Sequence, residues 1–143
     1  MIFAVPNKPV NASANVIPLA PAAQPRRKVL VVEDNLDSVH SMATLLRMMG
    51  HEVEFAINGF AALDIARKFR PHLILLDIGL PDFGGDQIAR QLKYEPGLEG
   101  TRVIAITGLP LDDVRARALE AGCEDVYAKP MAPTLLEELL ARP

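Results

Sequence analysis

Short apolar runs alternate along the chain with longer stretches in which apolar residues recur every three or four positions. Val29-Leu30-Val31-Val32 is unbroken and rich in β-branching, the pattern of a strand buried on both faces. Leu36, Val39, Ala43, Leu46 and Met49 then step at helical period, and Gly50 supplies a stop. Glu52-Val53-Glu54-Phe55-Ala56 alternates, which suits a strand nearer the sheet edge. Asn58 predicts the cap of a helix through about Phe69, with Ala62, Leu63, Ile65, Ala66 and Phe69 on its inner face and Pro71 beyond it. Leu73-Ile74-Leu75-Leu76 is a second buried strand. A loop with Pro81, Gly84 and Gly85 leads to a helix near residues 86–94, which Pro96-Gly97 breaks. Val103-Ile104-Ala105-Ile106 predicts a further strand, followed by a helix over about 112–121 that stops at Gly122. A short strand around 124–128 and a helix over about 133–141 complete the pattern.

Five β/α pairs in strict alternation predict a three-layer, doubly wound α/β domain. Its sheet is parallel, with right-handed crossovers placing helices on both faces. Residues 1–25 stand apart from this order. They hold five of the 12 prolines and a single charge, Lys8, and dense proline blocks both helix and central strand. They are expected to form a flexible Pro/Ala-rich leader or linker, with the domain over 26–143. Ala12-Ser13-Ala14 resembles a cleavage site, but no basic segment precedes an unbroken apolar one, which disfavours an export signal.

Composition narrows the function classes. A chain of 143 residues with 50% hydrophobic content suffices for one domain with a sizeable core. A formal charge of −3 argues against nucleic acid or an anionic membrane surface as the main partner. No apolar run approaches the roughly 18 residues of a spanning helix. One cysteine excludes an internal disulfide and any zinc site built from several cysteines. A cytoplasmic protein is expected.

The chemistry sits where the apolar strands end. The first run ends in Glu33-Asp34, the third strand in Asp77, the fourth in Thr107 and the fifth in Lys129. In an open parallel sheet the carboxyl ends of all strands share one edge, where ligands bind, so these residues should converge in one shallow pocket. Three carboxylates in proximity repel, and a hard divalent cation resolves the conflict; oxygen-only ligands favour Mg²⁺ over zinc. With an ammonium and a hydroxyl added, the set suits a phosphoryl group whose charge spreads over three oxygens, and Asp77 is placed as a carboxylate nucleophile.

Each residue has a plainer reading when taken alone. Glu33 and Asp34 could cap the following helix, Asp77 could be a loop acid, and Thr107 before Gly108 a turn residue. Their placement at successive strand ends is what weighs against coincidence. Elsewhere the plainer reading stands. Cys123 is expected in the core, and Met42, Met48 and Met49 should pack on the first helix. His40, His51 and His72 show no metal spacing, and Arg26-Arg27-Lys28 reads as a solvated lead-in to the first strand.

The segments Val-Leu-Val-Val-Glu-Asp-Asn (29–35), Leu-Ile-Leu-Leu-Asp-Ile-Gly-Leu-Pro (73–81) and Ile-Ala-Ile-Thr-Gly (104–108) carry a resemblance, as do Ala-Leu-Glu-Ala-Gly-Cys-Glu-Asp (118–125) and Ala-Lys-Pro (128–130). Over about residues 27–141 the chain resembles the receiver domain of bacterial two-component response regulators. The resemblance implies a flavodoxin-like sheet ordered 2-1-3-4-5 with a divalent metal at the acidic edge. Asp77 matches the phosphoacceptor, Asp34 the direct metal ligand and Glu33 a ligand acting through water. Gly79 matches the position whose backbone carbonyl completes the coordination. Thr107 matches the switch hydroxyl and Lys129 the phosphate clamp, with a cis Lys129–Pro130 bond. The metal is expected to be Mg²⁺, with Mn²⁺ as a substitute.

One departure matters. The family places an aromatic three residues before the lysine, where it couples to the threonine; here that position is Val126. Tyr127 lies one residue later, on the opposite face of a regular strand, and a bulge would be needed to restore it. The resemblance further implies a histidine kinase or histidine phosphotransfer protein as donor and an unidentified downstream protein as target. The chain is expected to act on itself rather than as a turnover enzyme. Gly79 and Leu109 match positions that tune hydrolysis, and neither can orient water, which predicts moderate persistence of the phosphoryl group. A stand-alone regulator is the leading expectation; the alternatives are a receiver from a hybrid histidine kinase and a small phosphatase using Asp77.

Overall fold

A computed structural model describes residues 25–79 and 85–142 of the chain. It is an alternating α/β domain: β1 (Lys28–Val32), α1 (Leu36–Met48), β2 (Glu52–Ala56), α2 (Gly59–Phe69), β3 (Leu73–Asp77), α3 (Gly85–Lys93), β4 (Arg102–Thr107), α4 (Leu111–Glu120), β5 (Asp125–Ala128) and α5 (Pro133–Ala141). All strand pairs are parallel, in the order β2-β1-β3-β4-β5. The expected architecture and strand order are both observed. Of the leader expected over 1–25, residues 1–24 lie outside the described residues, as do Pro81 and Gly84 of the loop after β3.

The two-residue period of the strands sorts the core into two layers. Leu30, Val32, Ile74, Leu76, Val103, Ala105 and Val126 face α2, α3 and α4, where Ala62, Ala66, Ile88, Leu92, Val114 and Ala118 meet them. Val29, Val31, Val53, Leu73, Leu75, Ile104 and Ile106 face α1 and α5, against Ala43, Leu46, Leu136, Leu139 and Leu140. β3 is buried along its whole length, whereas β2 alternates as an edge strand should.

Local signals set the boundaries. Asn35 caps α1 and Asn58 caps α2, each accepting a backbone N–H three residues on at 2.9 Å. Asn35, not Glu33 or Asp34, is therefore the cap of α1, and both acids are left for the site. Gly50 and Gly122 follow α1 and α4 with φ of +97° and +105°, the left-handed conformation their stop signals required. α2 ends differently: Arg70 takes the left-handed cap itself (φ 52°) ahead of Pro71.

Several sequence expectations need correction. Leu36 is 54% exposed and Met48 is 80% exposed, so the apolar stripe of α1 narrows to Val39, Ala43 and Leu46, flanked by Met42 and Met49. Gly85 belongs to α3 rather than to the loop before it. A Cβ there would lie 2.3 Å from Ile78 Cα, so helix and strand end approach too closely for any side chain. The Arg26–Lys28 segment is not merely solvated. Arg27 donates from Nε to the Leu140 carbonyl and from Nη2 to that of Arg142, and Arg102 Nη1 donates to the Leu139 carbonyl. α5 has no basic residue in its own last turn, and these guanidinium groups supply the cations its C-terminus favours. Cys123 is buried as expected, and burial pushes its thiol up to about 11.

Two stability predictions follow from this packing. Leu75, fully buried in the central strand, should cost about 2–5 kcal/mol when changed to Ala, read by urea unfolding. Asn58→Ala should cost about 0.5–2 kcal/mol by the same measurement, through loss of the α2 cap.

Candidate functional site

The carboxyl edge of the sheet is assembled by ladder bonds that run one step past the strands. Glu33 N–H donates to the Ala56 carbonyl, Ile78 N–H to that of Ile106 and Lys129 N–H to that of Thr107. These bonds bring the ends of β1, β3, β4 and β5 level. Carboxylate oxygens of Glu33, Asp34 and Asp77 lie within 4.8 Å of one another. Lys129 Nζ donates to Glu33 Oε1 at 2.5 Å and to Asp77 Oδ2 at 2.8 Å. Gly79 N–H donates to Asp77 Oδ1 at 2.9 Å, and Asn35 N–H reaches Glu33 Oε2 at 3.4 Å.

Exposure divides the acids. Glu33 and Asp77 are 3% and 7% exposed, while Asp34 faces solvent and has no hydrogen bond or ion pair among the described residues. Burial pulls the Glu33 carboxyl above its ordinary range, and the proximity of Asp77 adds to this more than Lys129 relieves it. For Asp77 burial acts in the same upward direction. The neighbouring Glu33 carboxyl, which takes a proton more readily, and the hydrogen bonds from Lys129 and Gly79 outweigh it, and the carboxyl is held below its ordinary range. Burial likewise opposes the charge on Lys129, and its two carboxylate partners overcome that and raise it. Of the two buried acids, Asp77 is the one whose environment favours the ionised form.

Three carboxylates against one ammonium leave two negative charges uncompensated among the groups described. An oxygen-rich donor set with that imbalance fits a hard divalent cation. Gly79 contributes room: a Cβ there would stand 3.3 Å from Asp77 Oδ1, so glycine keeps the carboxylate uncrowded. Thr107 ends β4 fully buried, its hydroxyl accepting the Leu109 N–H at 2.9 Å. The Lys129–Pro130 bond is cis, as the resemblance implied. Beside the acids a cleft of about 360 Å³ opens between α1 and the loop before α5, with Ser38, Met42 and Met131 in its wall and Glu33 and Lys129 at its end.

Every residue singled out by its strand-end position is therefore at this edge. Sequence reasoning missed Asn35, whose side chain starts α1 and whose N–H steadies Glu33; the Asn-x-x-Ser spacing of a helix cap was the available signal.

An open parallel sheet with acids, a hydroxyl and a lysine at its carboxyl edge is a doubly wound α/β protein with its polar groups where such sheets bind ligands. The family model described as response regulator receiver domain matches residues 29–141, and the chain belongs to that family. It is similar to the polar-differentiation response regulator DivK of Brucella anthropi. The two are 35% identical over 114 residues, which is 79% of this chain and 93% of DivK. Among solved structures, it resembles the receiver domain of a sensor histidine kinase from Pseudomonas aeruginosa, described with a magnesium ion coordinated in its active-site cleft. That match has 29% identity and a TM-score of 0.73, over 81% of this chain and 95% of the other. The chemotaxis response regulator CheY4 of Vibrio cholerae matches at 26% identity and a TM-score of 0.72, over 80% and 97%.

The departure at β5 is structural. β4 and β5 pair one to one, Ala105 with Val126 and Ile106 with Tyr127, with no bulge between them. Val126 is fully buried toward α4, and Tyr127 packs on the α1/α5 face, so no aromatic stands behind Thr107 from position 126. Inserting one there should over-pack the layer: Val126→Tyr is expected to lose about 1–3 kcal/mol in urea unfolding.

Proposed function

We propose that this receiver accepts a phosphoryl group on Asp77 from a phosphohistidine on a histidine kinase or histidine phosphotransfer protein. The observation that carries the reading is the Lys129 ammonium hydrogen-bonded at once to Glu33 and Asp77, with Asp34 beside them. An Asp77 oxygen attacks phosphorus in line, the P–N bond breaks, and its electron pair returns to the imidazole. Asp34 and Asp77, the Gly79 carbonyl and, through water, Glu33 would hold Mg²⁺, or Mn²⁺ in its place. When bound, the metal neutralises charge on the phosphoryl oxygens.

The chain's own residues do the rest. Lys129 exchanges a carboxylate partner for a phosphoryl oxygen, and the Thr107 hydroxyl turns to donate to another. Leaving its present partner, that hydroxyl releases the Leu109 N–H, which loosens the loop into α4. The added charge thereby alters a protein-binding surface for a downstream target. The protein acts on itself and turns over no external substrate. We read it as a stand-alone cytoplasmic regulator, which the near full-length match to DivK supports. The similarity to the kinase-borne Pseudomonas receiver favours the alternative of a hybrid-kinase receiver.

Wild-type protein should incorporate label from acetyl phosphate only with Mg²⁺, and Asp77→Asn should abolish it; label retained in that variant places the acceptor elsewhere. Because Gly79 and half-exposed Leu109 offer no polar side chain to steer water, the acyl phosphate should outlast a timescale of seconds in Mg²⁺ buffer. Loss within seconds, followed on a phosphate-affinity gel, contradicts this.

A further inference from the structure

The end of the sheet opposite the acids carries a second arrangement, built from two histidines that phosphoryl transfer does not use. His51 stands immediately before β2 and His72 immediately before β3, the two strands that flank β1. The Arg27 backbone N–H donates to His51 Nδ1 at 3.1 Å, and the next N–H, that of Lys28, donates to His72 Nδ1 at 2.9 Å. Backbone bonds run alongside: Glu52 N–H donates to the Arg27 carbonyl and His72 N–H to the Lys28 carbonyl, both at 2.9 Å. Successive N–H groups of a strand point to opposite sides, so each imidazole adds one rung to the ladder on its own side of β1.

We propose that His51 and His72 form an acid-released latch on the segment entering β1, residues 25–28, which they hold only while both Nδ1 atoms keep a lone pair. Imidazolium has no acceptor, so protonation sets a donor against each strand N–H. The latch reaches further than the strand, because the Arg27 side chain also holds the carbonyls of Leu140 and Arg142. Opening it loosens the entry to β1 and withdraws the Arg27 bonds from the C-terminal end of α5, which Arg102 continues to hold at the Leu139 carbonyl. Asp77 lies at the other end of its strand and is untouched.

The surrounding charges set the direction in pH. Around His51 stand Arg27 before β1, Glu52 heading β2 and Arg47 near the end of α1, its guanidinium on the Val53 carbonyl. His72 shares a cleft of about 100 Å³ with Arg27, Arg102 and Arg142, with Lys28 and Arg70 on the adjoining β1 and α2 ends. Two acids lie on the neighbouring segments: Glu124 is engaged by Arg102 through two bonds of 2.8 Å, and Glu99, beside the cleft-lining Gly100, accepts the Gly97 N–H and faces the Arg70 charge. The charged groups on this edge are mainly cationic. Burial first, and then Arg27, hold the His51 imidazole below its ordinary range. A depressed folded value means that the stabilisation is complete above the ordinary imidazole range and is lost as pH falls through the folded one.

Imidazole ¹⁵N shifts of the full chain at about pH 8, where imidazole is neutral, should report the Nε2–H tautomer for both histidines. The Nδ1–H tautomer at either overturns the latch. Amide exchange corrected for its intrinsic pH dependence should then show protection of the Arg27 and Lys28 N–H groups falling at least about tenfold between about pH 8 and pH 5, while core strand amides stay protected. In His51→Asn/His72→Asn, whose Oδ1 accepts at the Nδ1 position without titrating, that loss should vanish. Unchanged wild-type protection, or the same loss in the double variant, refutes the proposal.

Discussion

Like charges must share one edge of this sheet, and the Lys129 ammonium is what makes that arrangement stable in the protein alone. Glu33 and Asp77 are both nearly sealed from water, where two adjacent carboxylates repel strongly and desolvation penalises each. A single cation hydrogen-bonded to both offsets that cost, and within the pair the Glu33 carboxyl is held above its ordinary range and Asp77 below it. In the phosphoacceptor role proposed for Asp77, the groups that let the site exist also favour the anionic oxygen that role needs. Asp34, exposed and unengaged among the described residues, adds a third carboxylate beside them.

The fold serves this constraint by stacking strand ends. In a parallel sheet all carboxyl termini face the same way, and bonds such as Lys129 N–H to the Thr107 carbonyl carry the register into the loops. The positions of the reactive groups therefore inherit the rigidity of a two-sided core rather than the freedom of loops. The amino edge is built from the opposite chemistry. There Arg27 and Arg102 meet the carbonyl end of α5, and the Nδ1 atoms of His51 and His72 accept the N–H groups entering β1.

Membership of the receiver family does not carry every family device with it. Val126 is part of the layer beneath α4, and Tyr127 belongs to the other face because a regular strand alternates. What remains attached to Thr107 is the Leu109 amide and, through it, α4, whose N-cap Pro110 offers no side-chain hydrogen bond. A helix start held so lightly is a natural recipient of any change in the threonine.

The order of elements, the two buried central strands, both asparagine caps' helices and the strand-end polar residues were all legible from the chain. Each depends on short-range patterns: side-chain period, turn residues and the abrupt change from apolar to polar at a strand end. Glu33, Asp34, Asp77, Thr107 and Lys129 could be grouped in advance because parallel topology has only one place to put them. Only the tertiary structure decided which acid caps nothing and which is buried, that Leu36 and Met48 face out, and that Gly85 must be bare to pass Ile78. It alone turned a basic lead-in and two scattered histidines into the fastening of the far edge. Those contacts join residues 24 to 115 positions apart, through groups whose partners are chosen by packing, and no local pattern in the chain records such a choice.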